Sequence, residues 1–296
     1  MFHSVRRTLE MIRFSHTLFA LPFALASAAL AWHTKTEGFS WLELLGIVLG
    51  MVLGRSTAMA FNRLADRHLD AENPRTAQRH LPTGQLSVAA VWTFTVVCAV
   101  AFVASTLIFL AAEPPNPWPL RLSAPVLLFV CAYSYTKRFT ALAHVWLGIS
   151  LLLAPVAAWI AIRGLDELQM PLVLGLAVCF WVTGFDIIYA CQDVDFDRRA
   201  GLLSLPARLG VGPALRLAFL CHLVMIACLA AFYWIAAPHL GWIYLGGVSA
   251  VALLLLYEHW LVKPDDLTRV NQAFFHVNAF ISVGLLAVVL LQMAVN

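Results

Sequence analysis

Long apolar runs separated by short polar breaks dominate the chain. The prolines between residues 114 and 119, and later breaks at Gly164, Pro238 and Pro264, interrupt helix continuation. Since a bilayer core needs about 20 apolar residues in a helix, the runs predict nine membrane spans. They cover roughly residues 15–33, 41–61, 87–111, 120–136, 142–162, 171–191, 214–236, 241–258 and 273–294.

Composition supports an all-α, polytopic membrane protein with a single domain over residues 1–296. Hydrophobic residues make up 61% of the chain, its mean hydropathy is +0.83, and charged residues are only 12%. A soluble domain carries about 25% charged residues. The six cysteines contain no CxxC pair, and the ten histidines show no ligand spacing, so neither set predicts a metal site.

The first span resembles a secretory signal peptide in outline. Arg6 and Arg7 precede an apolar run that ends in small residues. However, Arg13 and His16 lie directly ahead of that run, and many spans follow. An uncleaved first helix is therefore expected.

The distribution of basic residues predicts the orientation in the membrane. With the N-terminus in the cytoplasm, the inside segments contain fifteen Lys and Arg residues, whereas the outside loops contain three, which are Lys35, Arg121 and Arg163. The positive-inside rule therefore favours a cytoplasmic N-terminus in an inner (plasma) membrane.

Seven of the sixteen acidic residues lie in or beside two short clusters, residues 62–72 and 186–197. Each cluster follows an even-numbered span, which places both on the cytoplasmic side. Asp66 and Asp70 match Asp193 and Asp197 at a constant offset of 127 residues, and a Leu-Pro pair follows each cluster. This pattern predicts two related four-helix halves plus a ninth helix.

Helical spacing aligns the acidic side chains, because residues four or seven apart share a helix face. The aligned residues are Asn62, Asp66 and Asp70 in the first cluster and Asp186, Asp193 and Asp197 in the second. Asp195 points elsewhere. Carboxylates on successive turns can share a divalent cation, and an all-oxygen ligand set favours Mg²⁺ with a phosphate substrate. Solvated helix caps are the alternative, but two matching clusters favour function.

Basic residues near the clusters predict an anion site. Lys137 and Arg138 end span four, and Arg67 and Arg75 flank the first cluster, although membrane anchoring explains such residues equally well. Arg55 lies inside an apolar span, where a guanidinium is costly unless it is paired. Its partner is either an aromatic carboxylate or an acid such as Asp186. Arg13 is a weaker candidate for the same role.

These residues resemble motifs of the UbiA superfamily of intramembrane prenyltransferases. Residues 62–70 match its NxxxDxxxD motif, and residues 186–197 match its DxxxxxxDxDxD segment. Residues 133–138 match its YxxxKR loop, and residues 75–84 match R-T-x-x-R-x-L-P-x-G. Arg63 and His80 depart from the family pattern, which usually has Asp and Pro there.

The resemblance implies Mg²⁺-dependent transfer from a polyprenyl diphosphate to a hydroxylated aromatic acid. The metal ligands would be Asp66, Asp70, Asp193 and Asp197, and the catalytic residues Asp66, Asp193 and Asp186. Substrate-binding residues would be Asn62, Arg55, Arg13, Arg67, Arg75, Tyr133, Lys137, Arg138 and Tyr189. Phe61 and Tyr135 are further candidates to stabilise an allylic cation, although core packing is the simpler role for any aromatic residue here.

The identity of the acceptor stays open. The chain looks most like 4-hydroxybenzoate polyprenyltransferases of ubiquinone synthesis, whereas residues 13–24 also resemble relatives in the futalosine route to menaquinone, which use 1,4-dihydroxy-6-naphthoate. Haem-type or chlorophyll-type acceptors remain alternatives within the family. Outside it, an ion-coupled secondary transporter also shows intramembrane acids and an internal repeat, but the acids here cluster at one membrane face.

Overall fold

The computed structural model describes residues 7, 10, 11, 19–237 and 239–295, and in these residues it contains helices and no β-strand. The long helices are α1 (Leu21–Thr34), α2 (Trp41–Ala65), α3 (Val88–Ser105), α4 (Trp118–Thr136), α5 (Ala143–Arg163), α6 (Gln169–Ala190), α7 (Val211–Ile235), α8 (Trp242–Leu261) and α9 (Asn278–Val295). A 3₁₀ turn, Thr106–Ala111, extends α3, and a π-helical turn, Ala273–Val277, precedes α9. The all-α prediction is confirmed, and the helix bounds agree with the predicted spans to within about one turn wherever the chain is described.

Helix ends follow local chemistry. Ser87 caps α3 by accepting a hydrogen bond from the Ala90 N–H at 3.1 Å. Gly164 ends α5 with a φ of 64°, a conformation that favours glycine. The proline-rich segment between α3 and α4 is not helical until Trp118. These breaks are the ones that the sequence predicts.

Seven helical stretches in the described residues are long and apolar enough to cross a membrane, and they indicate a multi-pass membrane protein. They are Trp41–Ala65, Val88–Ala111, Ala143–Arg163, Gln169–Arg199, Val211–Ile235, Trp242–Leu261 and Val270–Val295. Helix α1, with 14 residues, and α4, which contains Arg121 and ends in a polar run, do not belong to this set. The predicted count of nine spans is therefore not confirmed.

The chain divides into two compact units. One comprises the described residues of Met1–Thr17 together with Leu42–Thr136, and the other comprises Leu18–Trp41 and Lys137–Asn296. Because α1 belongs with α5 to α9, the units do not coincide with the two predicted four-helix halves.

The first unit has a small apolar core where α2 meets α3. Met11, Ala60, Leu64, Leu86 and Val91 form this core, and all of them are buried. Ala60 and Leu64 lie in the last turns of α2, just before the first acidic cluster. The core therefore holds the end of α2 from which that cluster extends.

The second unit packs around Trp181 of α6, whose side chain is fully buried. The Trp181 ring meets Phe185 edge to face at a centroid distance of 5.0 Å, and its Nε1–H donates to Asn278 Oδ1 at 2.6 Å. Asn278 in turn donates to Glu258 Oε1 at 3.1 Å. Since lipid offers no hydrogen-bond partners, this chain of buried polar groups ties α6, α8 and α9 to one another.

Candidate functional site

The first acidic cluster lies where α2 ends. Helix α2 stops at Ala65, Asp66 adopts φ −98° and ψ 6°, and a six-residue helix, Arg67–Glu72, follows. The predicted stripe is therefore not on one unbroken helix, because Asp66 has left helical geometry. The i to i−4 backbone hydrogen bonds nevertheless persist, from Asp66 N to Asn62 O at 3.0 Å and from Asp70 N to Asp66 O at 2.7 Å.

The second cluster repeats this arrangement. After α6, a 3₁₀ turn, Cys191–Asp193, leads to Asp193 with φ −105° and ψ 7°, and a six-residue helix, Val194–Arg199, follows. Each boundary of this short helix lies 127 residues after the matching boundary in the first cluster. The shared backbone supports the predicted internal repeat, and it was not evident from helical periodicity.

Side-chain positions in the two clusters follow the predicted alignment where it can be checked. Asn62 Nδ2 donates to Asp66 Oδ2 at 2.9 Å, so these two side chains share a face. In the second cluster Asp193 and Asp197 are 7% and 3% exposed, whereas Asp195 between them is exposed. Asp195 therefore points away from the other two, as expected.

Asp70 has an ionic partner that the sequence analysis missed. Arg79 Nη1 donates to Asp70 Oδ1 at 2.6 Å, and Arg63 Nη1 lies 3.8 Å from Asp70 Oδ2. The Thr76 hydroxyl donates to the Asp70 backbone oxygen at 3.0 Å and holds the following turn. Arg79 is the second arginine of the R-T-x-x-R segment, so that spacing was the available signal.

Two buried carboxylate oxygens fit a metal ligand role. Asp70 Oδ2 and Asp197 Oδ2 are buried and have no hydrogen-bond partner in the described part of the chain. A buried carboxylate oxygen that accepts no hydrogen bond is costly, and a hard cation that prefers oxygen ligands would satisfy it. The described residues contain no group of three or more His, Cys, Asp or Glu side chains placed to hold a metal. The four-aspartate ligand set stays a prediction.

Asp186 is paired with a histidine. His144 Nδ1 lies 2.6 Å from Asp186 Oδ2, and the two side chains are 0% and 14% exposed. His144 is the second residue of α5 and lies 42 positions before Asp186, so no local spacing predicts the pair. Asp186 is thus an oriented carboxylate that solvent still reaches.

The predicted basic residues occupy different environments. Arg67 Nη1 donates to the Leu64 backbone oxygen at 3.0 Å and so caps α2, whereas Arg75 is exposed. Lys137 is half-buried, and Arg138 beside it is exposed. Their role in anion binding stays a prediction.

Arg55 lies in the middle of α2, and its buried Nε atom has no hydrogen-bond partner among the described residues. The predicted partner of Arg55, either an aromatic carboxylate or an acid such as Asp186, stays a prediction. Arg13, the other candidate for this role, lies outside the described residues.

The candidate aromatic residues belong to ring clusters. Phe61 contacts Tyr135 at a centroid distance of 5.9 Å in the first unit. Tyr189 lies against Phe274 at 4.3 Å in the second unit. Tyr133 is half-buried at the end of α4. These ring clusters are compatible both with ordinary core packing and with the lining of a pocket that stabilises an allylic cation.

Comparisons with known proteins agree with these features. A sequence model described as the UbiA prenyltransferase family matches residues 20–284. A relative from Methylobacillus flagellatus, named 4-hydroxybenzoate octaprenyltransferase, is 33% identical over 257 residues, which cover 83% of this chain and 81% of that protein.

Solved structures of UbiA homologs are also similar to this chain. The apo structure of a UbiA homolog from Aeropyrum pernix K1 matches with a TM-score of 0.82 at 31% identity, covering 94% of this chain and 98% of that one. A UbiA homolog from Archaeoglobus fulgidus bound to DMAPP and Mg²⁺ matches with a TM-score of 0.73 at 19% identity, covering 98% and 100%. This second likeness concerns the fold alone.

Proposed function

Because the chain belongs to the UbiA prenyltransferase family, we propose that it transfers a polyprenyl group from a polyprenyl diphosphate to a hydroxylated aromatic acid. The observation that carries the proposal is the pair of acidic segments with one backbone conformation, in which Asp70 and Asp197 each keep a buried oxygen that accepts no hydrogen bond from the described residues. A relative named for 4-hydroxybenzoate and a homolog that binds DMAPP and Mg²⁺ support it. The acceptor is 4-hydroxybenzoate or 1,4-dihydroxy-6-naphthoate, in ubiquinone or menaquinone synthesis.

Asp66, Asp70, Asp193 and Asp197 are the proposed Mg²⁺ ligands. Their oxygen-only chemistry suits a cation that leaves coordination positions for water and phosphate. When bound, Mg²⁺ would neutralise charge on the diphosphate leaving group. Asn62 positions Asp66 directly, because the Asn62 side-chain amide donates a hydrogen bond to Asp66 Oδ2 at 2.9 Å.

Basic side chains complete the proposed diphosphate site. Two Mg²⁺ ions would balance four carboxylates, so the charge of the diphosphate itself needs further cations. Lys137 and Arg138 are the proposed partners, with Arg67 and Arg75 beside the first cluster. An arginine can bind two phosphate oxygens at once, which also orients the substrate.

The acceptor needs a cation for its carboxylate and a base for its hydroxyl. The buried Nε of Arg55 has no hydrogen-bond partner in the described residues, and the acceptor carboxylate would supply one. Arg13 is the second candidate cation. Asp186 is the proposed partner of the hydroxyl, and it would take up the proton that the ring loses after substitution.

Aromatic faces are proposed to stabilise the allylic cation as the bond between carbon and oxygen breaks. Tyr133, Tyr135, Phe61 and Tyr189 are the candidates, since aromatic rings attract cations in a water-poor site.

The active site and the N-terminus are proposed to lie on the cytoplasmic side of the inner membrane. One domain spanning residues 1–296 is proposed to carry the whole reaction.

The direct test incubates purified protein with Mg²⁺, a radiolabelled polyprenyl diphosphate and each of the two aromatic acids in turn. The expected result is a labelled adduct with one acid, formed together with an equal amount of diphosphate. Benzoate, which lacks the hydroxyl group, serves as the matched control and should give no adduct. Absence of product with both acids, or full activity after chelation of Mg²⁺, would contradict the proposal.

A further inference from the structure

The His144 ring is fully buried and lies between two polar partners. Its Nδ1 lies 2.6 Å from Asp186 Oδ2. On the other side of the ring, the backbone N–H of Leu205 points to Nε2 at 3.4 Å. Both ring nitrogens therefore have a defined partner.

The two partners determine where the imidazole proton lies. A backbone N–H can only donate, so Nε2 must present a lone pair to Leu205. The proton is then on Nδ1, which donates it to the Asp186 carboxylate. Because a backbone amide takes up no proton, His144 has nowhere to pass one. It can hold Asp186 but cannot relay a proton to solvent.

The position of the ring is set by the segment that follows the second acidic cluster. Leu205 begins a short helix, Leu205–Leu209, which Ser204 caps by accepting from the Ala207 N–H at 3.3 Å. Just before it, Leu203 N–H donates to the Lys137 backbone oxygen at 2.7 Å. The same loop thus fixes His144 and the backbone of a proposed diphosphate-binding residue.

We infer that His144 is a positioning residue that occupies one oxygen of Asp186 and so presents the other oxygen to the hydroxyl group of the aromatic acceptor. This inference rests on the proposed function, since it assigns Asp186 to the acceptor. The buried imidazole fixes the rotamer of a carboxylate that solvent still reaches. His144 itself touches neither substrate.

The test compares His144→Leu with His144→Gln in purified protein, with each substrate varied separately. Leucine keeps the volume but removes both hydrogen bonds. It should lower kcat/KM for the acceptor by about 10- to 100-fold, the effect of losing one hydrogen bond to a charged group. The KM for the polyprenyl diphosphate should stay at the wild-type value. Glutamine can donate to Asp186 and accept from Leu205, so it should recover most of the loss.

A control in the same helix separates positioning from general stability. Ser150→Ala removes a hydroxyl that donates within α5 to the Trp146 backbone oxygen at 2.9 Å, and it should leave both KM values unchanged. Three outcomes would each overturn this inference and leave the proposed function intact: wild-type acceptor kinetics in His144→Leu, an equal rise of both KM values, or no recovery with glutamine. A wild-type protein that transfers no prenyl group would overturn the proposed function and the inference with it.

Discussion

Gly184 of α6 lies against the buried imidazole of His222 on α7, so one added methyl group tests how these helices pack. A Cβ atom at Gly184 would lie 2.4 Å from His222 Cδ2 and Nε2, and 3.0 Å from the Ala218 backbone oxygen. His222 is 2% exposed and cannot swing into solvent. Its ring nitrogens lie 2.9 Å from His259 Nε2 and 3.3 Å from the Trp181 backbone oxygen.

The expected cost of Gly184→Ala follows from these contacts. Overpacking a well-filled interior costs about 1–3 kcal/mol, and displacing the ring weakens two hydrogen bonds worth about 0.5–1.5 kcal/mol each. Alanine favours the helix over glycine by about 1 kcal/mol, which offsets part of the loss. The net decrease in the free energy of unfolding should therefore be about 1–5 kcal/mol.

Thermal unfolding of the detergent-purified variants, followed by the loss of the monodisperse peak, measures this effect. Gly246→Ala and Gly284→Ala are the matched controls, because nothing lies within 4 Å of a Cβ at either position. Both should be as stable as the wild type or slightly more stable. In the double variant with His222→Ala the two costs should be less than additive, since the clash is removed. Equal stability of Gly184→Ala and Gly246→Ala, or strict additivity, would refute the reasoning.

Three further substitutions have defined outcomes. Arg55→Ala should raise the KM for the aromatic acid more than the KM for the diphosphate, and steady-state kinetics showing the reverse would remove Arg55 from the acceptor site. Arg79→Met should destabilise the fold by about 1.5–3 kcal/mol, because Asp70 loses a charged hydrogen bond of 2.6 Å; an unchanged unfolding midpoint would argue against this pair. Asn278→Leu should cost about 2–6 kcal/mol in the same unfolding assay, since two buried hydrogen-bond partners are left unsatisfied; wild-type stability would contradict the buried network.

Helix positions were largely predictable because the lipid imposes long apolar segments and because proline and glycine end them. The predicted span over 171–191 corresponds to α6 at Gln169–Ala190, and that over 142–162 to α5 at Ala143–Arg163. The length of α4 alone did not show whether it spans the membrane, because Arg121 and the polar end of the helix lower its apolar character. The π-helical turn before Asn278 also has no sequence signal in the apolar pattern.

The candidate site was predictable in its residues and less so in its geometry. Spacing identified Asp66 and Asp193, but it could not show that α2 ends just before Asp66 or that a 3₁₀ turn joins α6 to Asp193. The i to i+4 periodicity looks alike in straight and kinked segments. Pairs between distant positions, such as His144 with Asp186, depend on tertiary packing. Arg79 was visible in a motif, but its partner Asp70 was not.

The central claim is that both acidic segments serve one prenyl-transfer reaction, and single substitutions in each segment test it most directly. Diphosphate release that depends on an aromatic acid should be measured for Asp66→Ala, Asp193→Ala and the exposed control Asp195→Ala. The first two variants should insert and purify normally yet release no diphosphate, whereas Asp195→Ala should retain most of the activity. Full activity in either Asp66→Ala or Asp193→Ala would contradict the account.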